Sequence, residues 1–442
     1  MADNRLLEAL HALTPEEAEQ FFAAESRLAP PDPAVALAPV GRIALFAEAF
    51  LPKVDGVSKT AFLALRYLQR TGREVLVFAP DIAPPAIGES RIVRLPSLGA
   101  SIAPESRLAL PHPVIWRELD EFQPDLVHVF SPALAASSAI SYARAKLIPV
   151  IANFQTDLPA YAPYYGAPAV VPLVRAWLRH WHRQSTLTLA PSTYTANQLR
   201  REGYRRLRRW GRGVNSAHFH PRRRNHDMRA RLLDGRDPES LICLYVGRLS
   251  VEKGVEALRE LAALPGIALT LVGDGPQRTE LEALFAGTET RFTGYLFGDE
   301  LAEAYASADV FVFPGLTETF GQVVQEALAS GLPVLTVNQG GVVDLVQDGS
   351  SGFVLEPDGA AFARAAARLR DDPALRQGMA QAARAFAKAN PWEKVLAQLE
   401  GHYREALALT ARYNRAFPPA PAGIQGLIER LIPSKEAYDT VS

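Results

Sequence analysis

Cysteine is almost missing from this sequence: Cys243 stands alone among 442 residues. One thiol cannot form an intrachain disulfide, so a disulfide-stapled scaffold is excluded. Its place in the apolar run 241–246 reads as an inert core position. Also missing is any uninterrupted apolar run long enough to cross a bilayer. The N-terminus is acidic and has no apolar leader segment, so a cytoplasmic location is expected. Charge of one sign is missing too: 47 Lys and Arg offset 48 Asp and Glu, for a net charge of -1. No global attraction to nucleic acid or to an anionic membrane follows, so only local clusters could bind either. No Asp-x-Asp pair or His/Cys cluster stands out as a metal site, and the Gly-x-Gly-x-x-Gly turn of dinucleotide binders is absent. Neither a metal nor a nicotinamide or flavin cofactor is expected.

What is present is an ordinary globular composition, 48% hydrophobic and 21% charged, in a chain long enough for two or three cores. Residues 1–40 form an arm: apolar Leu6, Leu7 and Leu10, a capping box at Thr14–Glu17, and prolines 30, 31 and 33 as a stiff linker. The arm is expected to pack on the first domain, with association as the open alternative. From Gly41 to residue 211, strand and helix patterns alternate. Strands are expected at 42–46, 74–79, 126–130, 149–152 and, last, 185–190, with helices at 57–71 and 133–146. Residues 212–392 repeat the pattern. Strands fall at 241–246, 268–272, 290–293, 310–313 and 333–337, and helices at 253–263, 276–286, 298–307, about 321–330 and within 359–389. A long helix over about 393–415 opens the last segment, 393–442. Two doubly wound α/β domains are the expected architecture.

The most informative stretch is Phe311–Leu335. A buried-type strand leads into a polar loop, then an apolar helix stopped by Gly331 and Pro333. In a βαβ unit that loop opens at the carboxyl edge of a parallel sheet, where open α/β proteins bind ligands. Glu318 sits in the loop and Glu326 on the helix, where side chains lean back toward the N-terminus. Glu326 is a lone charge among Val323, Val324, Ala327 and Leu328, and a buried acid needs a partner or a ligand. In the 247–254 loop, Arg248 offers a planar fork and Lys253 a point charge to a diphosphate. Gly56, at the start of the first helix, permits close backbone approach to an anion.

These strings resemble the motifs of glycosyltransferase family 4, which has the GT-B fold: Glu318 and Glu326 match Glu-x₇-Glu, residues 247–254 match Gly-Arg-Leu…Glu-Lys-Gly, and the Pro52–Val57 loop matches Pro-x₃-Gly-Val. The resemblance spans about residues 41–410 and points to the branch of GDP-mannose-dependent α-mannosyltransferases and diacylglycerol glycosyltransferases. It implies two Rossmann-like domains facing across a cleft, with the last helix crossing back to the first. It also implies metal-independent, retaining transfer of a hexose of mannose or glucose type from a GDP or UDP sugar to a hydroxyl, in a lipid or sugar acceptor. In that reading Arg248, Lys253 and helix N-termini stabilise the leaving diphosphate. Glu326 holds the ribose, Glu318 holds a hydroxyl of the donor sugar, and the backbone N–H groups of Phe320 and Gly321 fix the sugar. Tyr295 presents backbone to the base, and Gly340-Gly341 forms a turn beside the donor. Asn153–Tyr161 resembles the family's Tyr-His-Thr-Asp stretch, with Gln155 where the histidine contacts the donor sugar. A glutamine keeps hydrogen bonds but cannot titrate. Asp157 is the candidate on the acceptor side, with a helix cap as its plain alternative. A non-catalytic nucleotide-sugar sensor and a sugar-nucleotide epimerase are the other functions this fold could serve.

Trp177, Arg179 and Trp181, with Arg205 and Arg206 among seven arginines over 200–212, form a basic, aromatic stretch. An RNA-binding reading fits poorly, because single-strand binders place exposed aromatics in a charged groove on a basic domain. An anionic-lipid face and an ordinary solvated face remain the two readings, the first implying a peripheral protein on the inner face of the plasma membrane. A narrow apolar stripe, Ile424 to Ile432, is expected to pack on the protein's own surface.

Overall fold

The computed structural model describes residues 28–51, 55–100, 103–166 and 168–416. The helices expected at the start of the arm and the 424–432 stripe lie outside the described residues. In the first domain the strands are β1 Arg42–Ala47, β2 Glu74–Pro80, β3 Ala86–Ile87, β4 Ser90–Leu95, β5 Ser97–Ala100, β6 Ala103–Ala109, β7 Leu126–Phe130, β8 Val150–Asn153, β9 Leu187–Ala190 and β10 Leu207–Arg209. Its helices are α1 Gly56–Arg70, α2 Val114–Phe122, α3 Ala135–Ala145, α4 Leu158–Tyr161, α5 Val171–Gln184 and α6 Thr193–Arg201. Eight strands form one sheet in the order β10-β9-β8-β7-β1-β2-β4-β3, parallel except for β3, while β5 and β6 form a separate hairpin. β1 reads as a near-continuous apolar run because helices cover both faces.

The second sheet is wholly parallel, β13-β12-β11-β14-β15-β16. Its strands are β11 Leu241–Val246, β12 Ile267–Val272, β13 Thr290–Gly294, β14 Val310–Phe313, β15 Val334–Val337 and β16 Gly352–Leu355. Around it lie α7 His226–Leu233, α8 Arg259–Ala262, α9 Arg278–Leu284, α10 Gly298–Ser307, α11 Gln322–Ala329, α12 Gly359–Asp371 and α13 Pro373–Lys388. The last helix, α14 Trp392–Ala416, packs Trp392, Leu396, Leu399, Tyr403 and Ala406 into the core of the first domain. The expected return crossing is therefore present.

Two expectations need correction. Residues 185–190 do not hold the last strand of the first sheet, because β10 pairs in parallel outside β9. Its sequence, Leu-Arg-Arg, hides it: an edge strand needs no apolar alternation, and charge protects it from further pairing. Nor is 253–263 one helix. The chain forms 3₁₀ turns at Val251–Lys253 and Val255–Leu258 and then only the four-residue α8. Gly254 lies between the two turns in a left-handed conformation (φ 62°), which breaks helical propagation. The helix expected to follow the Arg248 loop is therefore reduced to two 3₁₀ turns and one short helical turn.

The two chain crossings between domains run side by side. Val214 bridges to Pro391 in parallel, and the Val214 N–H donates to Asn390 O at 3.1 Å. Gly213 cannot be larger, since a Cβ there would lie 2.3 Å from the Trp392 Cα. The returning helix is held by a buried ion pair, Arg73 Nη2 to Glu400 Oε2 at 2.6 Å. Glu400 also accepts from Tyr67 Oη and from the Ala38 N–H. With Ala29 N–H on Glu393 and Arg404 on Ala36 O, residues 28–40 are strapped across α1 and α14.

Candidate active site

The Glu318 loop opens at the carboxyl edge of β14 and ends at Gly321, whose φ of 94° caps α11. The Gly340-Gly341 turn lies directly beneath it. A Cβ on Gly341 would fall 2.0 Å from Thr319 O, and the Gly341 N–H donates to Glu318 O at 2.6 Å. Only glycine allows so close a backbone contact. From above, the first domain holds the same loop: Thr319 Oγ1 donates to Gln155 O at 2.6 Å, and Thr195 Oγ1 donates to Thr319 O at 3.1 Å.

The two acids have separate partners. Glu318 accepts from Lys253 Nζ in a direct ion pair within the second domain. Burial opposes the charge on Lys253, but the Glu318 carboxylate outweighs it and holds the ammonium above its ordinary range. Glu326 is buried, as its apolar helix implied. It accepts from Lys59 Nζ of α1 at 2.7 Å and from Tyr305 Oη at 3.2 Å. Arg248 is half-buried in the neighbouring loop, where its carbonyl accepts from Tyr245 Oη.

On the facing wall, Gly56 lies against the side chain of Arg212. Asp55 caps α1 through its carboxylate, which accepts from the Val57 and Ser58 N–H groups. The space above Gly56 is filled by Arg212, whose Nη1 would lie 2.2 Å from a Cβ there. Gly56 therefore makes room for a guanidinium as well as for any ligand. Gln155 is buried, and its side-chain oxygen accepts from Arg212 Nη2 at 2.7 Å. Asp157 is the N-cap of α4, accepting from the Ala160 N–H and from Gln198 Nε2. Tyr161, at the other end of α4, hydrogen-bonds Thr317. Burial pushes its phenol up to about 12, against the pull of Lys253.

Three residues here were not singled out from the sequence. Lys59 carries the same signal as Glu326, a charge among the apolar residues of its helix. Arg212 was grouped with its surface neighbours, although flanking Gly211 and Gly213 set it apart. Tyr161 offered only its place at the end of the Asn153 stretch.

Phe320 is buried, with the Arg212 guanidinium 5.7 Å from its ring centre. Tyr295 is exposed, stacks on Phe297 and donates to Asp274 O at the rim of the second sheet. Among the described residues no three of His, Cys, Asp and Glu gather into a metal-ligating group.

The basic, aromatic stretch is partly corrected. Arg206 caps the end of α5, donating to the carbonyls of Arg183, Ser185 and Thr186. Arg179 donates to Glu202 O, and Trp181 is half-buried against the first-domain core. Arg205 and Trp177 are exposed, the indole N–H of Trp177 donating to Ala133 O. Beside Trp177 on the same helix, Leu173 is 72% exposed. The exposed residues of α5 thus include apolar Leu173 and Trp177 as well as Arg175 and Arg183.

Residues 54–218 match the family described as Glycosyltransferase Family 4, and residues 234–386 match Glycosyl transferases group 1. The chain is 42% identical over 371 residues to a GDP-mannose-dependent alpha-mannosyltransferase of Mycobacterium tuberculosis, covering 82% of this chain and 96% of that protein. It is 34% identical over 406 residues to the sulfoquinovosyl transferase SQD2 of Arabidopsis thaliana, covering 89% and 79%. Among solved structures, sucrose-phosphate synthase from Thermosynechococcus elongatus aligns with a TM-score of 0.68 at 22% identity over 83% of this chain and 99% of that one. Anabaena HepE in complex with UDP-glucose aligns at 0.62 and 18%, over 82% and 98%. At such identities these structures speak to the fold, which is GT-B.

Proposed function

The chain belongs to glycosyltransferase family 4, and on that premise we propose that it moves a mannosyl group from GDP-mannose to a hydroxyl acceptor, with retention of configuration. The observation that carries the reading is the Glu318–Lys253 pair, held at the carboxyl edge of the second sheet and facing Gln155 and Arg212 of the opposite wall. The donor is supported by the near full-length likeness to proteins named GDP-mannose-dependent.

Lys253 and Arg248 stabilise the diphosphate as the bond between the sugar's C1 and the phosphate oxygen breaks. The acceptor oxygen bonds to C1 on the same face, and its proton passes to a phosphate oxygen. The first-domain residues support this route. Gln155 cannot titrate, the Asp157 carboxylate is engaged as a helix cap, and the Tyr161 phenol stays protonated near neutrality. Glu318, exchanging Lys253 for a sugar hydroxyl, and Glu326, exchanging Lys59 for the ribose, orient the donor.

The acceptor we propose is a lipid or glycolipid at an anionic membrane surface. Val170, Leu173 and Trp177 are exposed apolar residues on and beside α5, and Arg183 on the same helix and Arg205 are exposed too. No helix among the described residues is long and apolar enough to cross a membrane. Transfer assays with GDP-mannose or UDP-glucose and an extracted lipid fraction test the reading, with the product's anomeric configuration read by NMR. An α-mannosyl lipid is the expected product. A β-linked product would overturn retention, and transfer from UDP-glucose alone would overturn the donor. Sedimentation with anionic liposomes at low and high salt tests the surface. Binding that weakens with salt is expected, and none at low salt leaves a soluble acceptor.

A further inference from the structure

We infer that Arg212 touches the substrate, its guanidinium taking an anionic oxygen of the donor's β-phosphate, the one that carries the sugar. The inference rests on the nucleotide-sugar reading above. Arg212 is fixed from its backbone outward. Gln325 Nε2 donates to Arg212 O at 3.0 Å and Gln322 Nε2 to Gly213 O at 3.1 Å, so α11 clamps the crossing strand. The second crossing abuts it through Val214 and Asn390. A side chain rooted there belongs to the junction between the two domains.

The residue is only 7% exposed. It threads between Gly56 of one wall and the Phe320 ring of the other, and Nη2 donates to the Gln155 side-chain oxygen at 2.7 Å. Its Nε has no partner among the described residues. The contrast with the other cleft cations is the point. Lys59 meets the Glu326 carboxylate and Lys253 meets Glu318, but the hydrogen-bonded partner of Arg212 is a neutral amide. The carboxylates that act on it through space, Glu318 and Asp55, are engaged by Lys253 and by the α1 amides. A buried cation without a paired anion is costly, and here the cost is retained at the centre of the cleft. A purely structural side chain at this point could be neutral and still bond Gln155. A preorganised donor of charge-assisted hydrogen bonds has to be cationic.

The same guanidinium could meet an anionic group on the acceptor, and the test separates the two sources. Calorimetric titration of the full chain with GDP and with GMP compares wild type, Arg212→Gln and Arg212→Lys. The expected result is a loss of GDP affinity in Arg212→Gln of roughly ten- to a hundredfold, the range for one charged hydrogen bond. GMP affinity should stay within about threefold, because GMP lacks the β-phosphate and keeps its contacts through the base, ribose and α-phosphate. Arg212→Lys, which keeps the charge but not the fork, should fall between. Should Arg212→Gln fail to fold, Gln155→Leu replaces it, and the released guanidinium should lower GDP affinity while leaving GMP alone. Equal losses for GDP and GMP would make Arg212 a structural strut and overturn the inference. Unchanged GDP affinity with a raised KM for acceptor would place the anion on the acceptor and overturn it as well. A wild-type chain that binds GMP and GDP alike would overturn the diphosphate contact, whereas one that binds neither would first overturn the GDP-mannose reading.

Discussion

The Nζ of Lys59 lies 2.7 Å from Oε1 of Glu326, and the two residues belong to different domains. The pair is well shielded, with side-chain exposures of 14% and 5%. Removing one partner strands a buried charge, so Lys59→Met should cost about 3 kcal/mol of stability. Adding Glu326→Gln should recover most of that, because the stranded carboxylate is gone. Urea denaturation of the two single mutants and the double mutant measures the coupling, and effects additive within about 0.5 kcal/mol would show that the pair contributes nothing.

The Arg248–Lys253 loop gives a kinetic test. Arg248→Ala and Lys253→Ala should each lower turnover by roughly ten- to a thousandfold, as expected for loss of a preorganised charge. Lys253→Ala should be the more severe, since it also leaves Glu318 without its cation. Near-wild-type rates in both variants would exclude a diphosphate contact.

The two acids should separate in steady-state kinetics. Glu326 is buried beside Tyr305 on the helix, and Glu318 lies in the loop that faces the first domain. Glu326→Ala should mainly raise KM for the donor, while Glu318→Ala should mainly lower kcat. The reverse split would mean that their roles are exchanged.

The returning helix gives a stability test remote from the cleft. Glu400 is fully buried and receives Arg73, Tyr67 and the Ala38 N–H. Glu400→Ala should cost about 3–5 kcal/mol by leaving the Arg73 guanidinium buried and unpaired. Chemical denaturation measures it, and a loss under about 1 kcal/mol would show that α14 is held by its apolar contacts instead.

Two buried histidines set an acid limit. Burial pushes His128 down to about 4 and His182 down to about 3, from an ordinary value of 6.5. Below 6.5 the unfolded chain takes up protons that the native state refuses, so stability is full above that pH and falls toward each folded value. For His128 the loss amounts to roughly 3 kcal/mol. Glu48 acts in the opposite sense. Burial raises its carboxyl to about 7, so its contribution is present below 4.5 and lost as pH rises through 7. Melting temperatures across pH 4 to 8 should show a shallower acid slope in His128→Gln and a shallower alkaline slope in Glu48→Gln. Unchanged slopes would mean that these groups do not govern the pH dependence.

The sequence by itself determined the layered architecture and the acid loop. Short apolar runs such as 241–246 and 310–313, alternating with helical patterns, read as buried strands of a parallel sheet, and the Gly331 and Pro333 stops bound α11 within a residue or two. Glu326 was legible as a buried acid because its helix is apolar almost all round. Local pattern carries no such signal for β10, whose edge position lets it be Leu-Arg-Arg, or for the break at Gly254, where backbone conformation overrides a helical composition. Only the tertiary structure decided which charges meet. Lys59 and Glu326 are 267 residues apart, and Arg212 reaches Gln155 across 57. Arg206 and Arg212 belong to the same arginine-rich stretch, yet one caps a surface helix and the other fills the cleft. The difference lies in the crossing between domains, where Pro391-Trp392 packs against Gly213 and Val214, and no local pattern in the sequence records that contact.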